Sequence, residues 1–219
     1  MKNIIFCLML LFAPVACSDS SIADNDGSGG VQMFGDSIFA TSDHRIGKQL
    51  AGLANVTIAD HSVSGSVVSQ IRDQYLSHRS EQIRTVILDG GGNDILGNKG
   101  NCQNKLNDAC KSLIKKVVDV VKETFSHMAN DGIHQIVYLG CHYPMGWNAG
   151  FNQAVDYSYP LLADACYFSP VPCILVDPRQ TFKDRSDLLE WDGIHPNWNG
   201  TDVMAKLIWS AVQANKIDL

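Results

Sequence analysis

The chain has no excess of positive charge: 17 Lys+Arg face 23 Asp+Glu, a formal net charge of −6. That balance excludes nucleic acid as a partner, because phosphate backbones need a basic footprint. Past the first seventeen residues there is no apolar run long enough to span a bilayer, which excludes a polytopic membrane protein. CxxC pairs are absent, so the seven cysteines do not read as a zinc cluster. The triple glycine Gly90–Gly92 matches neither the dinucleotide fingerprint nor a phosphate loop with its lysine. Repeats and heptads are missing too. What is present is 45% hydrophobic residues over 219 positions, enough for one domain with a full core and too much for a disordered chain.

Lys2, the apolar stretch Ile4 to Phe12 and the small residues Ala13 to Ala16 have the order of a secretory signal peptide, predicted over residues 1–17. Cys17 after Val15-Ala16 resembles a lipobox, with Pro14 where leucine is usual. On that reading Cys17 is a lipidated membrane tether, and the protein is a periplasmic, cell-envelope or secreted one. Residues 18–30, rich in Ser, Gly and Asp, read as a flexible linker.

From Val31 the chain alternates strands with helices. Predicted strands are Val31–Phe34, Val56–Ala59, Thr85–Leu88, Ile136–Leu139 and Ile174–Val176, the last three continuously apolar as strands buried on both faces are. Predicted helices are Ile46–Ala54, Val67–Ser77, Gln103–Asn130, Ala154–Ala165 and Thr201–Ala214. Alternation of this kind implies right-handed crossovers and a parallel sheet covered on both faces. Reactive groups in such a sheet gather beyond the carboxyl ends of the strands.

Four segments fall there. Ser37, after the first strand, is a poor nucleophile unless a base lies within hydrogen-bond reach. His195 can be that base, and Asp192 can hold its other ring nitrogen. Gly65 offers an unobstructed backbone N–H and Asn93 a carboxamide, which with the Ser37 N–H make three donors for an oxyanion. These segments resemble the blocks of the SGNH hydrolases, the GDSL esterase/lipase family. Gly35-Asp36-Ser37-Ile38 is similar to the nucleophile block and Ser62-Val63-Ser64-Gly65 to the glycine block. Gly91-Gly92-Asn93-Asp94 is similar to the asparagine block, and Asp192-Gly193-Ile194-His195-Pro196 to the histidine block. Asp60 stands where the glycine block often has asparagine.

The resemblance covers residues 31–219. It implies a flavodoxin-like three-layer α/β/α sandwich with a five-stranded parallel sheet, and ester hydrolysis through an acyl-enzyme on Ser37. It implies no metal and no cofactor. The expected substrate is a small-molecule ester, a lipid or an acylated sugar, with short to medium acyl chains. Carbohydrate O-deacetylation, lysophospholipase or thioesterase activity, and acyl transfer use the same site; a glycan-binding module without turnover is the non-enzymatic alternative. Met145, Trp147 and Trp191 are candidate substrate-binding residues, and His142 and Trp198 lie in the same loops. In an exported chain Cys102 with Cys110, and Cys166 with Cys173, read as local disulfides by proximity. Cys141 is left over, buried and inert. His44, His61, His78, His127 and His134 are expected on surfaces or helices.

Overall fold

The computed structural model describes residues 30–219, so the predicted signal peptide, Cys17 and all but the last residue of the predicted linker lie outside the described residues. Five strands form one parallel sheet: β1 (Val31–Phe34), β2 (Ile58–Asp60), β3 (Thr85–Leu88), β4 (Gln135–Leu139) and β5 (Cys173–Val176), in the order β2-β1-β3-β4-β5. The helices are α1 (Ser37–Ala54), α2 (Val68–His78), α3 (Gly92–Leu96), α4 (Lys99–Cys102), α5 (Asp108–Asn130), α6 (Asn152–Tyr167), α7 (Arg179–Phe182) and α8 (Trp198–Ala214). This is the α/β sandwich expected from the alternation, with the flavodoxin-like sheet that the family resemblance implies.

Side-chain alternation along the strands builds two cores. Val31, Met33, Ile87, Val137, Leu139 and Val176 point to one face, where α1 and α8 supply Ile46, Leu50, Met204 and Ile208. Phe34, Val86, Leu88, Ile136 and Tyr138 point to the other, against Ile71 and Tyr75 of α2, Val121 and Phe125 of α5, and Leu162 of α6. A smaller third cluster joins Ile95, Cys102, Cys110, Ile114 and Phe151. Disulfides connect Cys102 with Cys110 and Cys166 with Cys173, with Cα atoms 5.2 and 5.0 Å apart.

Several boundaries differ from the periodicity. α5 starts at Asp108 rather than Gln103, because Asn104 is left-handed (φ 56°), its N–H donates to Gly150 O at 2.7 Å, and Asn107 caps the helix by accepting from Cys110 N. β2 begins two residues late, since Asn55 is left-handed and Val56 N bonds back to Ala51 O, finishing the preceding turn. α1 begins nine residues before its predicted start and is two helical pieces, interrupted at Thr41 (ψ 154°), Ser42, Asp43 and His44. The last three are consecutive left-handed residues (φ 50°, 58° and 56°), none of them glycine. Each such residue costs about 1 kcal/mol or more.

The chain crosses from β1 to β2 on one side and returns to β3 on the other. The switch point therefore lies between β1 and β3, and a crevice opens beyond their carboxyl ends. Ser37 follows β1 there, and Asn93 follows β3.

Candidate active site

Asp36 caps α1 by accepting from Ile38 N at 2.9 Å, which leaves Ser37 as the first helical residue. His195 Nε2 lies 2.8 Å from Ser37 Oγ, and His195 Nδ1 lies 2.6 Å from Asp192 Oδ2. A carboxylate only accepts, so Nδ1 carries the proton and Nε2 is free to accept the seryl hydroxyl. Asp192 also builds the turn that holds the ring: its Oδ1 accepts from Ile194 N at 2.8 Å and His195 N at 3.0 Å. Burial alone would raise this carboxyl, but the hydrogen bonds from Ile194, the His195 ring and His195 N outweigh it and hold it below the usual range.

The turn is stitched to the loop after β4. Asn148 Nδ2 donates to Asp192 O at 3.0 Å, and Met145 N to Gly193 O at 2.8 Å. Gly193 is left-handed (φ 68°), and a Cβ there would meet the Met145 carbonyl carbon at 2.8 Å. Met145 thus packs between the two loops and against the α1–α8 core, outside the lining of the cleft. Trp147 and Trp191 do not line the cleft either; they are 67% and 84% exposed and pack edge to face with centroids 5.7 Å apart, joining the loop after β4 to the histidine turn. Trp198 instead lies under the Arg45 guanidinium, 3.6 Å from its ring centroid.

Ser37, Thr41, Ser64, Gly65, Asn93 and His195 border one open cleft. Neither the Ser37 nor the Gly65 N–H has an acceptor among the described residues. Asn93 Nδ2 donates to Ser66 O at 3.0 Å and, over 3.3 Å, to Asp36 Oδ2. The next residue, Asp94, accepts from Val68 N at 2.9 Å and ties α3 to the start of α2.

Residues that sequence reasoning missed hold this arrangement. The Gln74 carboxamide pairs with both sides of the Gly35 backbone, accepting from its N–H at 3.0 Å and donating to its carbonyl at 3.1 Å. Asp89 Oδ1 accepts from Asp36 N at 2.9 Å. Gly35 is needed here, since a Cβ would overlap Asp89 and approach the Phe39 ring to 2.7 Å. Burial raises the Asp36 carboxyl to about 6; Asp89 is pushed well above the usual range by burial and then by the Asp36 charge. The available signals were a polar residue beside the apolar stripe of α2 and an acid ending an apolar strand.

Beside Ser37 and Asn93 a cavity of about 60 Å³ is walled by Ile38, Ile95, Leu96, Pro144, Phe151 and Val155. Cys141 and His142 also line it. Burial raises the Cys141 thiol to about 12 and lowers the His142 imidazole to about 4, so both are neutral near pH 7. Among the described residues no group of three or more His, Cys, Asp or Glu has metal-holding geometry.

The sequence pattern of the GDSL-like lipase/acylhydrolase family matches residues 31–208. The chain belongs to that family. Solved structures resemble this family member at low sequence identity. The lipase/acylhydrolase from Enterococcus faecalis is 14% identical, with a TM-score of 0.58 over 84% of this chain and 95% of the other. A mutant of an acetyl-xylooligosaccharide esterase from Geobacillus is 13% identical, with a TM-score of 0.61 over 82% and 92%. A lipase from a goat rumen metagenome is 15% identical, with a TM-score of 0.62 over 83% and 96%. At these identities the likeness concerns the fold. No curated protein sequence matches the chain.

Proposed function

We propose that this family member is an exported serine esterase acting on carboxylic esters of short acyl chains. The observation that carries the reading is the unbroken relay from Asp192 through His195 to Ser37 Oγ. Ser37 Oγ attacks the ester carbonyl carbon while His195 Nε2 takes its proton. The carbonyl oxygen becomes an oxyanion facing the Ser37 and Gly65 N–H groups and Asn93 Nδ2, whose long bond to Asp36 gives way. Collapse breaks the ester C–O bond, and the alcohol leaves with the proton from His195. Water, deprotonated by the same imidazole, then attacks the acyl-enzyme and releases the acid.

The acyl group takes the apolar cavity beside Ser37, whose walls Ile38, Ile95, Leu96, Phe151 and Val155 leave only a small space and so favour a short chain. The alcohol side is assigned to the exposed edge-to-face pair Trp147 and Trp191, whose open indole faces suit a sugar ring. Together with the likeness to an acetyl-xylooligosaccharide esterase, that pair favours an acylated saccharide as the natural substrate. Export is supported by the leader-like first seventeen residues and by two disulfides, which persist in oxidising compartments. Cys17 is proposed as a lipid anchor on the same leader.

Hydrolysis of p-nitrophenyl esters from C2 to C12 by wild type and Ser37→Ala tests this reading. Turnover is expected to peak between acetyl and butyryl and to vanish in Ser37→Ala. A wild type without turnover, or an active Ser37→Ala, defeats it.

A further inference from the structure

The left-handed excursion in α1 has a specific result: it carries His44 over the start of the glycine-block loop. Asp60 closes β2 and turns back on Ser62, accepting from Ser62 N at 3.0 Å and from Ser62 Oγ on the same Oδ1. That commits the seryl proton to Asp60. His44 Nδ1 lies 3.2 Å from Ser62 Oγ, so the histidine must be the donor to that hydroxyl; the same nitrogen stands 3.3 Å from Asp60 Oδ2. Asp60 and Ser62 are buried, whereas His44 is about one-third exposed. The contact therefore joins two segments that both border the cleft, Thr41–His44 on one side and Ser62–Gly65 on the other.

Three consecutive left-handed residues are unfavourable on their own, and persist only where surrounding contacts over-determine them. Asp43 pairs with the exposed Lys48 of the same helix, and the contact that reaches across to another segment is that of His44. Val63 N bonds to Gly35 O and Ser66 N to Val63 O, and the far end of the glycine-block loop is held by Gln74 Nε2 on Ser66 Oγ and Asn93 Nδ2 on Ser66 O, each at 3.0 Å; at the Ser62 end the side chain reaching in from another segment is His44. We propose that His44 is a positioning residue: its hydrogen bond to Ser62, made beside the Asp60 carboxylate, clamps the loop that presents the Gly65 N–H to the oxyanion. The clamp acts through Ser62 and touches no reacting atom. It also gives Asp60 a function where the glycine block often has asparagine, since its carboxylate accepts from both Ser62 N and Ser62 Oγ and so leaves that hydroxyl to accept from His44.

This inference rests on the esterase reading, and two substitutions separate clamp from backbone. Glycine adopts the left-handed conformation freely, so His44→Gly keeps the excursion and removes only the side chain. Asparagine tolerates the same conformation and places a donor where histidine has Nδ1. On p-nitrophenyl acetate, His44→Gly is expected to lose about tenfold in kcat with KM within about twofold of wild type. His44→Asn is expected to recover kcat to within about twofold of wild type. Wild-type kcat in His44→Gly overturns the clamp, as does a His44→Asn variant as slow as His44→Gly. Hydrogen exchange provides a readout independent of turnover: the Val63 and Ser66 amides are expected to exchange about tenfold faster in His44→Gly, and unchanged exchange overturns the clamp. A wild type without turnover defeats the esterase reading, and the exchange comparison then still decides the clamp.

Discussion

Asp192 spends one oxygen on the backbone of its own turn and the other on the imidazole, so the group that aims His195 is also the group that shapes the loop carrying it. Replacing it by alanine would confound the two. Asp192→Asn keeps an oxygen for Ile194 and His195 but places a donor or a neutral acceptor against Nδ1, favouring the wrong tautomer. Its kcat is expected to fall by a factor on the order of 10³–10⁴ with the thermal midpoint changed by only a few degrees. Ester hydrolysis and a melt on the same sample check both halves, and retention of more than a tenth of kcat would show that Asp192 does not orient the base. Ser37, His195, Asp192, Gly65 and Asn93 could be read from the sequence because the chemistry restricts residue type at each strand end. Gln74, Asp89 and His44 could not, because their partners lie 39, 53 and 18 residues away and the local pattern, at most a polar residue beside an apolar stripe or strand, does not say what it binds.

Among the elements, α3 and α4 are too short to hold their own position and lean on the Cys102–Cys110 bridge, whose sulfurs are buried in the third cluster with Ile95 and Phe151. Ile95 and Phe151 are also walls of the apolar cavity beside Ser37. Removing the bridge with Cys102→Ala and Cys110→Ala together is expected to cost about 2–3 kcal/mol from loop entropy, with further loss from the voids left behind. Urea unfolding measures the cost; a change below about 0.5 kcal/mol would mean that the neighbouring packing suffices alone. The long helices were legible from their apolar spacing and α5 is the clearest case, yet its first turn was misplaced because a left-handed Asn104 is invisible to periodicity. α1 was half legible: Ile46 and Leu50 mark its second piece, while the first piece is dictated by the cap at Asp36 and the break by contacts across the cleft.

For the whole molecule, the buried Asp36–Asp89 pair sets how stability responds to pH. Their unfolded-state pKa is about 3.8, while Asp36 titrates near 6 in the folded protein and Asp89 is raised well above 3.8. Between about pH 4 and 6 the folded state holds protons that the unfolded chain has released, so stability contributed by the pair is present below that window and is lost as pH rises through it. Asp89→Asn keeps an acceptor for Asp36 N and removes one buried charge. Its loss of stability between pH 5 and pH 8 is expected to be shallower than that of wild type. Urea midpoints at the two pH values test this, and equal slopes would place the dependence elsewhere. Strand order and layering followed from the alternation of elements, but the two-core division fixes something the sequence pattern did not show. α1 and α8, which border Ser37 and His195, pack together on one face; the segments bearing Gly65 and Asn93 belong to the opposite face, with α2 and α5. Ser37 Oγ, His195 and Asp192 are therefore mounted on one side of a rigid sheet and Gly65 and Asn93 on the other, and the two sides meet at the Ser37 backbone and at the His44–Ser62 contact, so repacking either side is felt by the other through those points.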